Sequence, residues 1–185
     1  MTTIKIRQDN DAESPRDWDN MGTMIAFHGR YNLGDKGHSF RSEDFNGWDE
    51  MKAAILKAFP GGEILPLYLY DHSGITIKTT PFDCRWDSGQ VGFIVANKVQ
   101  IRNAMGVVHV TDKVRERARD LLRSEVEVYD QYLRGDVYYF SIVDDDGEVI
   151  DSCGGFFGDD PFKNGMAEHI PTELLPLLKE TSVSY

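Results

Sequence analysis

Val137-Tyr138-Tyr139-Phe140-Ser141-Ile142-Val143, then Asp144-Asp145-Asp146-Gly147, then Glu148-Val149-Ile150-Asp151-Ser152-Cys153 is the stretch whose reading decides the fold. Two runs rich in β-branched and aromatic residues flank an Asp-Gly turn, the composition of an antiparallel hairpin. Immediately before it, Val114, Ala118, Leu121, Leu122, Val126, Tyr129 and Leu133 recur at three- and four-residue steps. Thr111 stands where a helix cap belongs, and Gly135 ends the pattern. A long amphipathic helix feeding a hairpin predicts a helix laid on an antiparallel sheet. The expected contact is the Val114/Ala118/Leu121/Leu122 stripe against the sheet that contains the Val137–Cys153 hairpin.

Working outward, the same two periodicities recur. Thr3 to Arg7 alternates as a strand, Met21 to His28 reads as another, and Val91 to Ala96 is a continuous apolar run suited to a buried strand. Glu63 to Tyr70 and Ile75 to Thr80 form a second predicted hairpin around Asp71-His72-Ser73-Gly74. A helix is expected from a Ser42 cap to Phe59, with Phe45, Trp48, Met51, Ala54, Ile55 and Ala58 on one stripe and Pro60-Gly61-Gly62 stopping it. Lys98 to Ala104 reads as a short helix, Gly154 to Gly158 as a loop, and Thr172 as the cap of a last short helix. Strands and helices are interspersed and hairpins dominate the connections. The expected class is α+β, a largely antiparallel sheet of hairpins packed against two or three helices, in a single domain over residues 1–185.

Composition narrows the function. The 185 residues carry 20 Lys+Arg against 31 Asp+Glu, a net charge of −11. That balance argues against direct nucleic-acid or anionic-membrane binding and suits a partner with a basic surface. No apolar run approaches the roughly 20 residues of a membrane span, and residues 1–10 lack a signal-peptide core, so a cytoplasmic setting is expected. Cys84 and Cys153 belong to no C-x-x-C pair. No zinc pattern is present, and Asp9-Asn10-Asp11-Ala12-Glu13 is followed by Ser14 where a calcium loop needs glycine. Neither a metal nor a cofactor is expected.

Two groups of residues stand out as sites. Asp9, Asp11, Glu13, Asp17 and Asp19, with Asp144, Asp145 and Asp146, form acidic clusters able to face a basic partner. Asp71, His72, Cys84, Asp87 and Gln90 lie on two loops flanking one predicted hairpin. There Asp71 would orient His72, and His72 would act as a general base or hold the Cys84 thiol. The plainer reading makes Asp71, Ser73 and Asp87 turn residues and puts Trp86 in the core. Gly29 to Gly37 has glycines, Arg30 and Lys36, but not the spacing of a phosphate loop, and reads as structural.

Several stretches taken together, Pro15-Arg16-Asp17-Trp18-Asp19-Asn20-Met21-Gly22-Thr23-Met24 with His28-Gly29-Arg30-Tyr31-Asn32-Leu33-Gly34-Asp35, Tyr70-Asp71-His72-Ser73-Gly74, Cys84-Arg85-Trp86-Asp87-Ser88-Gly89-Gln90-Val91-Gly92 and Tyr129-Asp130-Gln131-Tyr132-Leu133-Arg134-Gly135-Asp136-Val137-Tyr138, carry a resemblance that extends over most of the chain. In these the chain resembles a group of bacteriophage- and prophage-encoded hypothetical proteins. The resemblance implies an accessory phage protein acting on host machinery and brings no catalytic residues with it. The leading expectation is therefore an inhibitor of a host protein, such as a nucleic-acid-binding antiviral defence factor, engaged through the acidic clusters. The alternative is a small hydrolase or small-molecule-binding protein using the loops around His72 and Cys84.

Overall fold

The computed structural model describes residues 2–84, 86–180 and 183–184. In chain order the elements are β1 (Thr3–Gln8), β2 (Thr23–Ala26), α1 (Trp48–Ala58), β3 (Glu63–Asp71), β4 (Ile75–Lys78), β5 (Ser88–Ala96), α2 (Lys98–Met105), α3 (Asp112–Arg134), β6 (Val137–Val143), β7 (Val149–Phe157), α4 (Leu175–Glu180) and β8 (Val183–Ser184). The fold is α+β. Its strands fall into two sheets, ordered β7-β6-β1-β8 and β2-β5-β3-β4, where the sequence had suggested one. The chain divides into two compact units, Met1–Ser14 with Gln131–Tyr185, and Pro15–Asp130. Among the described residues, no helix is long and apolar enough to cross a membrane.

The first unit is built on β1 and β6, paired antiparallel with Ile4 opposite Ile142 and Ile6 opposite Phe140. Strand alternation sends Ile4, Ile6, Tyr138, Phe140, Ile142 and Phe156 into one core, completed by Met166, Ile170 and Leu178 from the C-terminal segment. β7 lies at the sheet edge and continues to Phe157, so the Gly154–Gly158 stretch expected as a loop is mostly strand. Its pairing with Val137 and Tyr138 extends the ladder through Phe156 and Phe157 despite the two glycines. The Asp144–Gly147 turn forms as read: Gly147 takes φ +85, and Asp144 Oδ1 accepts from the amides of Asp146 and Glu148 at 3.0 and 2.9 Å.

In the second unit β5 is central, paired antiparallel with β2 on one side and β3 on the other. Phe93 and Val95 pack with Ile25, Met51 and Ile55 beneath α1. On the opposite face, Ile94 and the α3 residue Leu122 both crowd Gly22, where an added Cβ would lie 2.9 and 2.5 Å from them. A strand covered on both faces has no reason to alternate, which explains the unbroken apolar run Val91–Ala96.

Two sequence expectations are corrected here. The stripe of α3 is spent on the sheet of its own unit, through Leu122 and through polar contacts of Glu125, Tyr129 and Asp130; the Val137–Cys153 hairpin belongs to the other unit. Helix α1 starts at Trp48, not after Ser42. Residues Ser42–Asp44 make only a 3-10 turn, and Gly47 adopts φ +148, a backbone state outside any helix.

Candidate functional site

A buried ion-pair network holds the loop that follows β2. Arg16, its side chain only 4% exposed, donates from Nε and Nη2 to the two Asp35 oxygens at 2.6 and 2.9 Å. Nη1 donates to Glu125 at 3.1 Å and Nη2 to the Gly22 carbonyl at 2.7 Å. Asp35 Oδ2 also accepts from Met24 N, and Glu125 accepts from Met21 N and Gly22 N. Burial opposes the charge on Arg16, but the hydrogen bonds and charges of Asp35 and Glu125 outweigh it and hold the guanidinium above its ordinary pKa. Gly34, at φ +72, bridges back to Ile25, and an added Cβ would meet the Met24 carbonyl at 2.6 Å. The Gly34 amide donates to the Tyr129 hydroxyl oxygen at 3.0 Å. These contacts hold the Gly29–Gly37 segment in place, with Arg30 and Tyr31 in it and His28 just before it.

Those three residues meet the second hairpin. Arg30 pairs with the Asp71 carboxylate, whose other oxygen accepts from the Tyr31 hydroxyl at 3.4 Å. His28 stacks on Tyr31 with ring centroids 4.9 Å apart, and its Nδ1 accepts from Arg30 N. Arg30 also lies over the Tyr31 ring at 5.6 Å. The chain reaches this place through a tight turn in which Ser73 takes φ +58 and Gly74 φ +143.

The loop after β4 folds back onto the same hairpin. Phe82 packs 5.6 Å from Tyr70 and lies under the Lys78 ammonium at 4.1 Å, while Asp71 N donates to Asp87 O at 2.8 Å. This brings Asp87 to His72, with His72 Nδ1 3.4 Å from Asp87 Oδ2. The Cys84 thiol points to that same oxygen at 3.7 Å. His72, Cys84 and Asp87 therefore converge, and Asp71 stands on the adjoining peptide.

Their roles differ from the expectation. Asp87, not Asp71, orients the imidazole, because Asp71 closes β3 and is taken by Arg30 and Tyr31. The imidazole and the thiol both turn to one carboxylate oxygen instead of to each other, so the geometry is that of an Asp–His pair with a thiol beside it. Gln90 leaves the group: it lies within β5 and donates to the carbonyl of Gly92. Trp86, assigned to the core on the plainer reading, is 96% exposed. Among the described residues, no three His, Cys, Asp or Glu side chains are placed to hold a metal ion.

Next to Tyr31 the loop and α1 enclose a groove of about 830 Å³, lined among others by Phe27, His28, Tyr31, Lys36, Ser42 and Trp48. Its lining runs from Ala26 to Lys36, overlapping the glycine-containing stretch Gly29–Gly37 singled out in the sequence, and is completed by Ser42 and Trp48.

The acidic residues divide between the units. Asp9, Asp11 and Glu13 and the turn residues Asp144, Asp145 and Asp146 belong to the first unit, whereas Asp17 and Asp19 belong to the second. The first unit holds five Lys and Arg against fourteen Asp and Glu, a net −9 in 69 residues; the second holds fifteen against seventeen, a net −2 in 116. Comparison with known proteins finds no family model, no curated protein and no solved structure that matches the chain.

Proposed function

We propose that the protein acts by binding, and thereby inhibiting, a host protein with a basic surface, and that the first unit is its binding module. The observation that carries this reading is the partition of charge, −9 of the total −11 in little more than a third of the chain. Like charge held at such density repels itself, a cost that a basic partner relieves. It also speeds encounter with that partner and makes the rate fall with salt. Two apolar residues on the edge strand, Val149 and Ile150, are each 61% exposed beside Glu148 and Asp151, and add contact area that charge alone does not provide. A nucleic-acid-binding defence factor fits as the partner because its functional groove is basic, and the resemblance to phage accessory proteins supplies the host setting.

The test uses the full chain. Affinity capture from a bacterial host lysate supplies the partner, and association rates are then measured at low and moderate salt. Asp145→Asn, Asp146→Asn and Glu148→Gln together should slow association and flatten its salt dependence without moving the unfolding midpoint. Asp144 is left intact because its carboxylate builds the turn. Rates insensitive to both salt and the substitutions reject the hairpin's role. If neutralising Asp9, Asp11 and Glu13 also changes nothing, the acidic-module reading falls.

A further inference from the structure

We infer that the groove beside Tyr31 in the second unit is a binding site for a flat aromatic ring carrying one anionic group, a ligand of mononucleotide size. The site is separate from the acidic module and stands or falls without it. The volume of about 830 Å³ lies within the range of small-molecule sites. The walls supply aromatic surface: Phe27, Trp48 and the Tyr31 ring, already stacked on His28, line the groove, with Trp48 held edge-on against the buried Phe93 at 6.0 Å. His38, outside the lining, packs edge-on to Phe27 at 5.5 Å and backs that wall.

Charge selects the sign of the ligand. Asp35 is the one carboxylate in the lining, and its two oxygens are already occupied by Arg16 and Met24 N. Lys36 lines the same groove, is exposed, and makes no ion pair among the described residues. In a chain of net −11, a groove whose available charge is a single ammonium is a local reversal of sign. Asn32 and Ser42 add neutral hydrogen-bonding groups for a sugar hydroxyl or a heterocycle edge.

The long ordered loop also asks for such a role. Residues 27–47 between β2 and α1 contain only a 3-10 turn, yet they are fixed by the Arg16–Asp35 pair, the Gly34 bridge and the Tyr129 hydroxyl. Ordered loops of this length in compact domains are characteristically binding loops. Tyr31 joins the groove wall to the Asp71–Arg30 pair, and Asp71 N in turn donates to the carbonyl of Asp87, whose carboxylate faces His72.

Binding is measured by titration calorimetry on the full chain with four nucleoside monophosphates, two aromatic carboxylates, an uncharged nucleoside and inorganic phosphate. Monophosphates binding tighter than nucleoside and phosphate alike identify a nucleotide; the aromatic carboxylates binding tighter identify the other source of the same chemistry. In either case Lys36→Glu should weaken binding at least about tenfold. Lys113→Glu, the same charge change at an exposed position on α3, should not. Equal loss in both variants, no loss in either, or no binding of any probe at millimolar concentration overturns the assignment. Unchanged melting temperatures of both variants exclude unfolding as the cause.

Discussion

In the unit built on β2-β5-β3-β4, Asp35, Glu63, Glu125 and Asp130 accept hydrogen bonds from residues at least 11 positions away in sequence. In the unit built on β7-β6-β1-β8, Asp9, Asp144 and Asp160 accept from backbone amides only two to four residues on. Carboxylates of the first kind bind distant side chains and amides and fix tertiary structure; those of the second kind shape turns and keep their charge near the surface. The contrast runs alongside the difference in net charge between the two units. The groove lies in one unit and the greater part of the acidic excess in the other.

The sharpest way to break this contrast is Arg16→Ala. Removing one partner leaves Asp35 and Glu125 as uncompensated buried charges, and the expected loss is about 3–5 kcal/mol in urea unfolding. The equivalent change in the other unit, Asp136→Asn opposite the exposed Arg134, should cost under about 1 kcal/mol. Similar losses from the two would mean that carboxylates are used alike in both units.

Next in size is the packing of α3. Leu122 is fully buried while Leu121 is only half-buried, so Leu122→Ala should cost about 2–5 kcal/mol and Leu121→Ala distinctly less. The reverse order would place the helix on a different face from the one that meets Gly22 and Ile94.

The smallest expected effect lies on the acidic unit. The Lys163 ammonium donates to Asp160 at 2.8 Å and, with the Phe162 amide, holds its carboxyl below the usual carboxylate range. A carboxyl lowered on folding contributes stability that is present above its unfolded pKa and lost as pH falls through the folded one, here below about pH 4. Both groups lie at the surface, so the effect is one of titration more than of stability. An NMR titration should show Asp160 moving back towards the ordinary value in Lys163→Met. A carboxyl that titrates identically in both proteins would remove the pair from the account.

How far the sequence carried the candidate site can be read residue by residue. Asp71 and His72 were legible because a hairpin turn between two alternating runs fixes their position, and Cys84 and Asp87 because their loop is tied to that hairpin by chain length. Which carboxylate serves His72 was not legible. Asp71 is adjacent in sequence, but successive side chains of an extended strand end diverge, and Arg30, 41 positions earlier, takes it. Trp86 was misread for a related reason: hydrophobicity says that a residue is usually buried, and nothing in a loop's sequence says which way its side chain leaves the surface.

What the sequence by itself determined was everything set by local period and local chemistry. That includes the α3 stripe and its Thr111 start, the two hairpins with their Asp-Gly and Ser-Gly turns, the doubly covered β5 run, and the total charge. The tertiary structure alone decided the allotment of strands to two sheets, the sheet on which α3 packs, the Arg16–Asp35–Glu125 network, the groove at Tyr31, Lys36 and Trp48, and the concentration of acidity in one unit. The physical reason is the range of the interactions. Helical and strand periodicity arise from neighbours within a few residues, whereas pairing between strands and between buried charges is chosen among many distant partners and is fixed only when the whole core closes around it.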